Sequence, residues 1–90
     1  MTTRRDNILK VALEYGWEEI SPHFNASRDR LMLSRQVPGG HSFSVVEVLF
    51  KDHDHTTVAE CRTGVDALNQ RLTGGHVAIK RHLRWNGKKA

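Results

Sequence analysis

The segment from Phe43 to Phe50, FSVVEVLF, limits the possible folds of this chain more than any other. It is rich in β-branched and aromatic residues, which favour extended backbone in a sheet. Its alternation slips in the middle, because Phe43 and Val45 share one parity while Val46, Val48 and Phe50 share the other. The pattern therefore predicts a strand that either has both faces partly covered or is realigned by a bulge at Val45–Val46.

Two further extended segments flank this strand. The segment RLMLSRQ predicts a strand over 30–36 that ends before the turn PGG, the central strand occupies 42–51, and TTVAECR predicts a third strand over 56–62. The intervening KDHDH is short enough for a hairpin turn. With its parity left open, the expected hairpin pairing places Val46, Val48 and Phe50 opposite Thr56, Val58 and Ala59.

Amphipathic helical segments stand at the two ends of the chain. ILKVALEYGW has apolar residues at helical spacing and predicts a helix over 5–15, with Thr3 as its cap and Gly16 as its end. HVAIKRHLRW predicts a second helix over 76–86, for which Thr73 is a candidate cap. Each helix has one apolar side to bury against a sheet.

The remaining segments are less regular. The segment VDALNQRL is either a short helix or a loop over 65–72, and residues 87–90 are expected to form a frayed, flexible tail. Pro22 excludes a helix in EEISPHFNAS, where Ile20 and Phe24 are expected to tuck under the sheet.

The order of these segments predicts the fold class. Ninety residues make a single domain, and three strands joined by short turns make an antiparallel meander that needs one covered face. Two helices lying side by side would cover it. We expect an α+β two-layer sandwich in the order helix, three-stranded antiparallel meander, short helix or loop, helix.

Composition excludes several classes of function. No apolar run reaches the 18 residues that suggest a membrane span, and no signal-peptide core is present. The lone Cys61 cannot form an internal disulfide and fits the cytoplasm, and its place in a strand favours a buried structural cysteine over a nucleophile. No phosphate-binding loop and no catalytic signature occurs, so we expect neither an enzyme, nor a cofactor, nor a small-molecule substrate.

One cluster has the residue types of a metal site. His53, His55 and Glu60 follow the spacing His-x-His-x4-Glu, which resembles the first metal-binding motif of the cupins. The flanking glycines of that motif are replaced here by Glu47 and Ala67. A metal needs three or four convergent ligands, whereas adjacent turn residues point in different directions. We therefore interpret the segment as a solvated hairpin turn and keep metal binding as a third alternative.

The basic residues suggest a second kind of surface. The net charge is +4, with a pI of about 9.7, and such a balance suits nucleic acid or an acidic protein as partner. If the two helices are antiparallel neighbours, basic residues at their termini approach each other. Trp85 at the edge of this patch would either stack on a partner or close the core. The residues of this alternative nucleic-acid surface are Arg4, Arg5, Lys80, Arg81, Arg84, Lys88 and Lys89.

The segment order and the turn Pro38–His41 before a strand of Phe and Val resemble double-stranded-RNA-binding domains. That resemblance implies the topology of two helices packed on a three-stranded sheet. The lysine-rich start of the last helix in that family has only Arg71 as a counterpart here.

The whole architecture, with ILKVALEYGW at one end and HVAIKRHLRW at the other, also looks like the small accessory proteins of actinobacterial phages. This resemblance implies a non-enzymatic binding role in the host cytoplasm. Our principal hypothesis is therefore protein–protein contact, with a host protein or a second copy of the chain as partner. Met32 and Leu49, on the uncovered face of the sheet, are the candidate interface residues.

Overall fold

The computed structural model describes residues 3–20 and 29–89. This part of the chain forms two helices and one five-stranded antiparallel sheet, so the predicted α+β class is confirmed. In chain order the elements are α1 (Arg4–Glu14), β1 (Glu18–Glu19), β2 (Arg30–Gln36), β3 (Phe43–Phe50), β4 (Val58–Val65), β5 (Gln70–Arg71) and α2 (Gly75–Trp85).

The start and end of α1 follow from local hydrogen bonds. The Thr3 hydroxyl accepts from the Asp6 amide at 3.1 Å, and the Thr3 amide donates to the Asp6 carboxylate at 3.3 Å. These two bonds form a capping box, which satisfies amides that have no partner within the helix. At the other end Gly16 has a φ of +82°, and the Trp17 amide donates to the Ala12 carbonyl at 2.9 Å. The sequence predicted both the cap and the glycine end.

The start of α2 differs from the prediction. Its N-cap is Gly74, with a φ of +107° and no side-chain hydrogen bond, so Thr73 does not cap the helix. At its other end, the amide of Lys88 donates to the Tyr15 carbonyl at 2.8 Å. Within the tail that was predicted to be frayed, Lys88 thus has a main-chain hydrogen bond, while residue 90 lies outside the described residues.

The sheet is a meander with the strand order β1-β2-β3-β4-β5. The three long strands are those that the sequence predicted, and the two short ones add an edge on each side. β1 pairs Glu18 with Ser34, and β5 pairs Gln70 with Thr63. Two residues are too few to show a period, so the sequence pattern could not reveal these edge strands.

The hairpin between β3 and β4 has a different register from the one expected. Val46 lies opposite Thr63 and Val48 opposite Cys61. The irregularity falls between Leu49 and Phe50, not at Val45–Val46. Thr56 is not a partner, because β4 begins only at Val58. Ala59 is left without a partner on β3 at the irregularity, where Phe50 pairs with Val58 and Leu49 with Glu60. Of the two expected sets, only Phe50 and Val58 are partners of each other.

The segment 65–72 is neither a helix nor only a loop. β4 continues to Val65, and a tight turn returns the chain to β5. The turn is fixed by Asp66, whose amide donates to the Phe43 carbonyl and whose carboxylate accepts from the Phe43 amide, both at 2.8 Å. A Cβ on Gly64 would overlap the Ala67 carbonyl oxygen, so only glycine fits there. Pairing between β4 and β5 therefore outweighs the helical spacing of apolar residues in this segment.

The core lies between the helices and one face of the sheet. The described residues of α1 and α2 bury one apolar stripe each, and β2, β3 and β4 contribute alternate residues of a single face. Ile20, expected beneath the sheet, is instead 37% exposed, and Phe24 lies outside the described residues. The central core residues are Ile8, Ala12, Leu31, Leu33, Val46, Val48, Cys61, Ile79 and Leu83.

The two helices run parallel to each other. At their first turns, Arg4 lies close enough to His76 for its charge to lower the pKa of that imidazole. At their last turns, Lys88 binds the Tyr15 carbonyl. The antiparallel arrangement considered from the sequence does not occur. Neither described helix is long and apolar enough to cross a membrane.

Candidate macromolecule-binding surface on the last helix

The outward side of α2 and the residues after it carry a cluster of cations around one tryptophan. Ile79 and Leu83 are buried against the sheet, and the helical period turns the residues between them away from the core. Lys80 is partly buried, and the other members of the cluster are exposed. We call this cluster the α2 basic surface, and its residues are Lys80, Arg81, Arg84, Trp85, Lys88 and Lys89.

The charge of the protein is segregated into this part of the chain. No Asp or Glu follows Asp66, whereas the segment 67–90 contains six lysine and arginine residues. The net charge of +4 therefore arises entirely from this segment. Within the described residues, no ion pair involves the α2 basic surface. This run without carboxylates is the sequence signal that would have singled out α2.

Trp85 belongs to this surface and is 83% exposed. Of the two roles that the sequence left open, it does not close the core. Trp17 does so instead: it is 2% exposed, and its indole donates to the Leu83 carbonyl at 2.9 Å. An exposed tryptophan beside arginines is the composition of interaction hot spots and of base-stacking sites.

Trp85 and its neighbour Asn86 line two clefts. The first has a volume of about 310 Å³ and lies between α2 and the segment after β5. The second has a volume of about 440 Å³ and lies at the C-terminal end of α2, against the turn after β2. Arg81 lines the first cleft, and Arg35 and Lys88 line the second. Each cleft thus combines the indole with at least one cation.

The structure divides the seven cations that were predicted to form a nucleic-acid surface. Arg5 does not join the others, because its guanidinium pairs with Glu19 at 2.7 Å. Arg4 lies at the first turn of α2, where its charge and that of Lys80 both lower the pKa of His76. Lys80 thus stands at the Arg4 end of the α2 basic surface, and Arg81, Arg84, Lys88 and Lys89 follow towards the other end. The parallel direction of the helices is the reason, since it places the start of α1 far from the end of α2.

Two histidines on α2 are held in the neutral form. Burial lowers the pKa of His82 below its ordinary value of 6.5. The pKa of His76 is lowered first by desolvation and then by the charges of Arg4 and Lys80. The positive charge of this region at neutral pH therefore comes from lysine and arginine.

The sheet face that points away from the helices is the surface on which protein contact was predicted. Met32 and Leu49 lie on it and are both partly buried. Two ion pairs lie on this face: Arg30 binds Glu47 at 3.2 Å, and Arg62 binds Glu60 at 3.0 Å. Phe43, on the same face at the start of β3, is 46% exposed. The sequence pattern did not indicate Phe43 as part of this surface.

The turn KDHDH gathers its histidines around a residue from another element. His53 Nδ1 lies 2.9 Å and His55 Nε2 lies 3.4 Å from one carboxylate oxygen of Asp29. Glu60 does not join them, because it binds Arg62 on the sheet face. Over residues 3–20 and 29–89, no group of three or more histidine, cysteine or acidic residues is placed to hold a metal. The predicted trio His53, His55 and Glu60 is thus not brought together.

The only cysteine is placed in the core. Cys61 is 2% exposed, and its pKa is raised to about 12, chiefly by burial and then by the charges of Glu47 and Glu60. A thiol in this state is almost entirely protonated at neutral pH and is a poor nucleophile.

Fold and surface define this chain as a small two-layer α+β protein with a basic helix face that carries an exposed tryptophan. Comparison with protein-family models, curated proteins and solved structures finds no match.

Proposed function

We propose that this protein is a non-catalytic binding protein that holds nucleic acid through the α2 basic surface. The observation that carries the proposal is the 83% exposure of Trp85 among cations that have no ion-pair partner in the described part of the chain. Phosphate groups are the anions that such a surface fits, and a tryptophan face accepts a base.

The state of the charges supports this surface over the sheet face. On the sheet face, Arg30 and Arg62 are each bound to a glutamate. Each would have to lose that carboxylate before it could bind a phosphate. The cations of α2 have no such cost in the described structure. Phosphate contacts by lysine and arginine release counterions, which favours binding at low salt.

Salt dependence tests the proposal directly. A labelled oligonucleotide should bind at low salt, and the affinity should fall steeply as salt rises. If all five lysine and arginine side chains of the α2 basic surface bind phosphates, the slope of log affinity against log salt is about −3 to −4 for a single strand. Absence of binding at low salt would overturn the proposal.

A pair of variants localises the surface. Arg84 lies on the α2 basic surface and Lys10 is exposed on α1, so Arg84→Gln and Lys10→Gln change the net charge equally. We expect R84Q to weaken binding and to reduce the salt slope by about 0.7. K10Q should leave both close to wild type. Equal effects of the two variants would mean that net charge, and not this surface, is responsible.

A second candidate function is protein–protein contact through the outer sheet face. The 46% exposure of Phe43 favours it, since this ring lies on the same sheet face as Met32 and Leu49. The partner would be a host protein or a second copy, in the cytoplasm, where the free thiol of Cys61 is stable. Self-association is tested by the mass in solution at high concentration: Phe43→Ser should shift a dimer towards monomer, and a wild-type protein that stays monomeric contradicts the self-association form.

A further inference from the structure

We infer that the α2 basic surface selects single-stranded nucleic acid, with Trp85 stacking on an unpaired base between the two clefts that it lines. This inference rests on the proposed function and deepens it, because it names the form of nucleic acid and the residue that reads that form. Cations alone would bind any phosphate backbone.

The position of Trp85 is the first support. The core of this small protein already contains one tryptophan, Trp17. Its ring is buried, and its indole nitrogen donates a hydrogen bond to the Leu83 carbonyl. Trp85 is the last residue of α2, and most of its side chain is exposed to water. Leaving a large apolar ring exposed is unfavourable by itself. A ligand that covers the ring would recover that free energy, and a base has the flat apolar surface to do so.

The first cleft has room for one nucleotide beside the indole of Trp85. Its walls are α2 and the segment that follows β5, with Leu72 and Ala78 as apolar surface. Arg81 stands at the same cleft, in reach of the phosphate of a nucleotide whose base rests on Trp85. His82 lines it as well, and the lowered pKa of that imidazole keeps it neutral at pH 7.

The second cleft continues the path past the end of the helix. Val37 and Pro38 supply apolar surface, while Arg35 and Lys88 supply positive charge. Lys88 is held in place by the hydrogen bond of its amide to the Tyr15 carbonyl. Since Trp85 lines both clefts, a strand that crosses the indole meets a cation on each side of it.

A duplex suits this arrangement less well than a single strand does. Base faces are covered in a duplex, and inserting a side chain between them requires unstacking, which costs a few kcal/mol per step. An unpaired base presents its face freely. Charge complementarity favours a phosphate-bearing strand, and an acidic protein segment would lack the flat ring for Trp85.

The experiment compares four labelled probes: a single-stranded oligonucleotide, its duplex, an abasic strand of the same length and a polyglutamate peptide. We expect the base-bearing single strand to bind about 5- to 150-fold more tightly than the abasic strand, the range for one stacked base. Trp85→Ala should remove this difference, and Trp85→Phe should restore part of it. The matched control is R84Q, which should weaken the base-bearing and abasic strands by the same factor.

Fluorescence supplies an independent readout. Because Trp17 is buried, quenching on addition of the single strand should come from Trp85 and disappear in W85F. Circular dichroism checks that each variant is folded.

The outcomes separate the inference from the proposed function. Equal binding of the base-bearing and abasic strands, or tighter binding of the duplex than of the single strand, overturns the inference and leaves nucleic-acid binding standing. Binding of none of the three nucleic-acid probes at low salt overturns both. Binding of polyglutamate at least as tight as that of the single strand also overturns both, in favour of an acidic protein partner.

Discussion

The indole Nε1 of Trp17 donates a hydrogen bond of 2.9 Å to the main-chain carbonyl of Leu83. This bond joins the segment after α1 to the last turn of α2, across 66 positions of sequence. It satisfies a carbonyl near the end of α2, where carbonyl groups lack partners within the helix. It also holds the end of α2, and with it Trp85, at a fixed place over the sheet.

The first prediction concerns this bond. Trp17→Phe keeps an aromatic ring but leaves the Leu83 carbonyl without its donor, so it should lower the free energy of unfolding by about 1–3 kcal/mol. Urea denaturation followed by circular dichroism measures the change. Trp85→Phe is the matched control: because Trp85 is exposed, its effect should stay within about 0.5 kcal/mol. Similar losses in both variants would contradict the role assigned to the bond.

A second prediction concerns the turn between β4 and β5. Gly64→Ala forces a methyl group onto the Ala67 carbonyl and to 2.6 Å from the Asn69 side chain. We expect destabilisation of about 3 kcal/mol or more, at the upper end of overpacking. At Gly40 the nearest atom would be 3.8 Å from the new carbon, so Gly40→Ala should be neutral or stabilise by up to about 1 kcal/mol. Thermal and urea melts of the two variants check this, and an unaffected G64A would disprove the tight turn.

The third prediction concerns the thiol of Cys61. Because burial raises its pKa to about 12, the native protein should react with thiol reagents far more slowly than the unfolded chain. The labelling rate under increasing urea should follow the unfolding transition. Since the ordinary pKa is 9.0, the unfolded thiol ionises first as pH rises, and stability should fall between about pH 9 and 12. Cys61→Ala should remove that thiol-linked part of the loss, and rapid labelling of the native protein would contradict the burial.

A fourth prediction concerns pH on the acidic side. The pKa of His82 is lowered by burial, so the unfolded chain binds a proton there at a higher pH than the folded one. His76 acts in the same direction. Stability should therefore be retained above the ordinary pKa of 6.5 and be lost as pH falls below it. Urea midpoints from about pH 7 down to about pH 5 measure the slope, which should be shallower in His82→Gln; an unchanged slope would contradict the assignment.

Elements whose signal is local in the sequence form as predicted. The capping box of α1 needs only Thr3 and Asp6, three residues apart, and both bonds form in the structure. The strand β3 follows from a run of β-branched and aromatic residues. Elements of this kind are selected by neighbouring residues, which the sequence displays directly.

Side-chain partners that come from distant parts of the chain differ from those predicted. The ligand trio His53, His55 and Glu60 was suggested by spacing, yet the carboxylate that the histidines meet belongs to Asp29. Arg5 was assigned to a nucleic-acid surface, yet Glu19 occupies its guanidinium. Spacing along one segment carries no information about a partner that another segment supplies.

The two tryptophans show what the sequence determined and what the tertiary structure determined. The sequence alone determined an α+β fold, because two amphipathic helices and a meander can bury their apolar faces only against each other. Only the tertiary structure decided that Trp17 enters the core and Trp85 remains exposed. The period of a helix fixes which residues share a face. Whether the edge of that face meets the sheet or the solvent depends on the direction and placement of the helices, which long-range contacts determine.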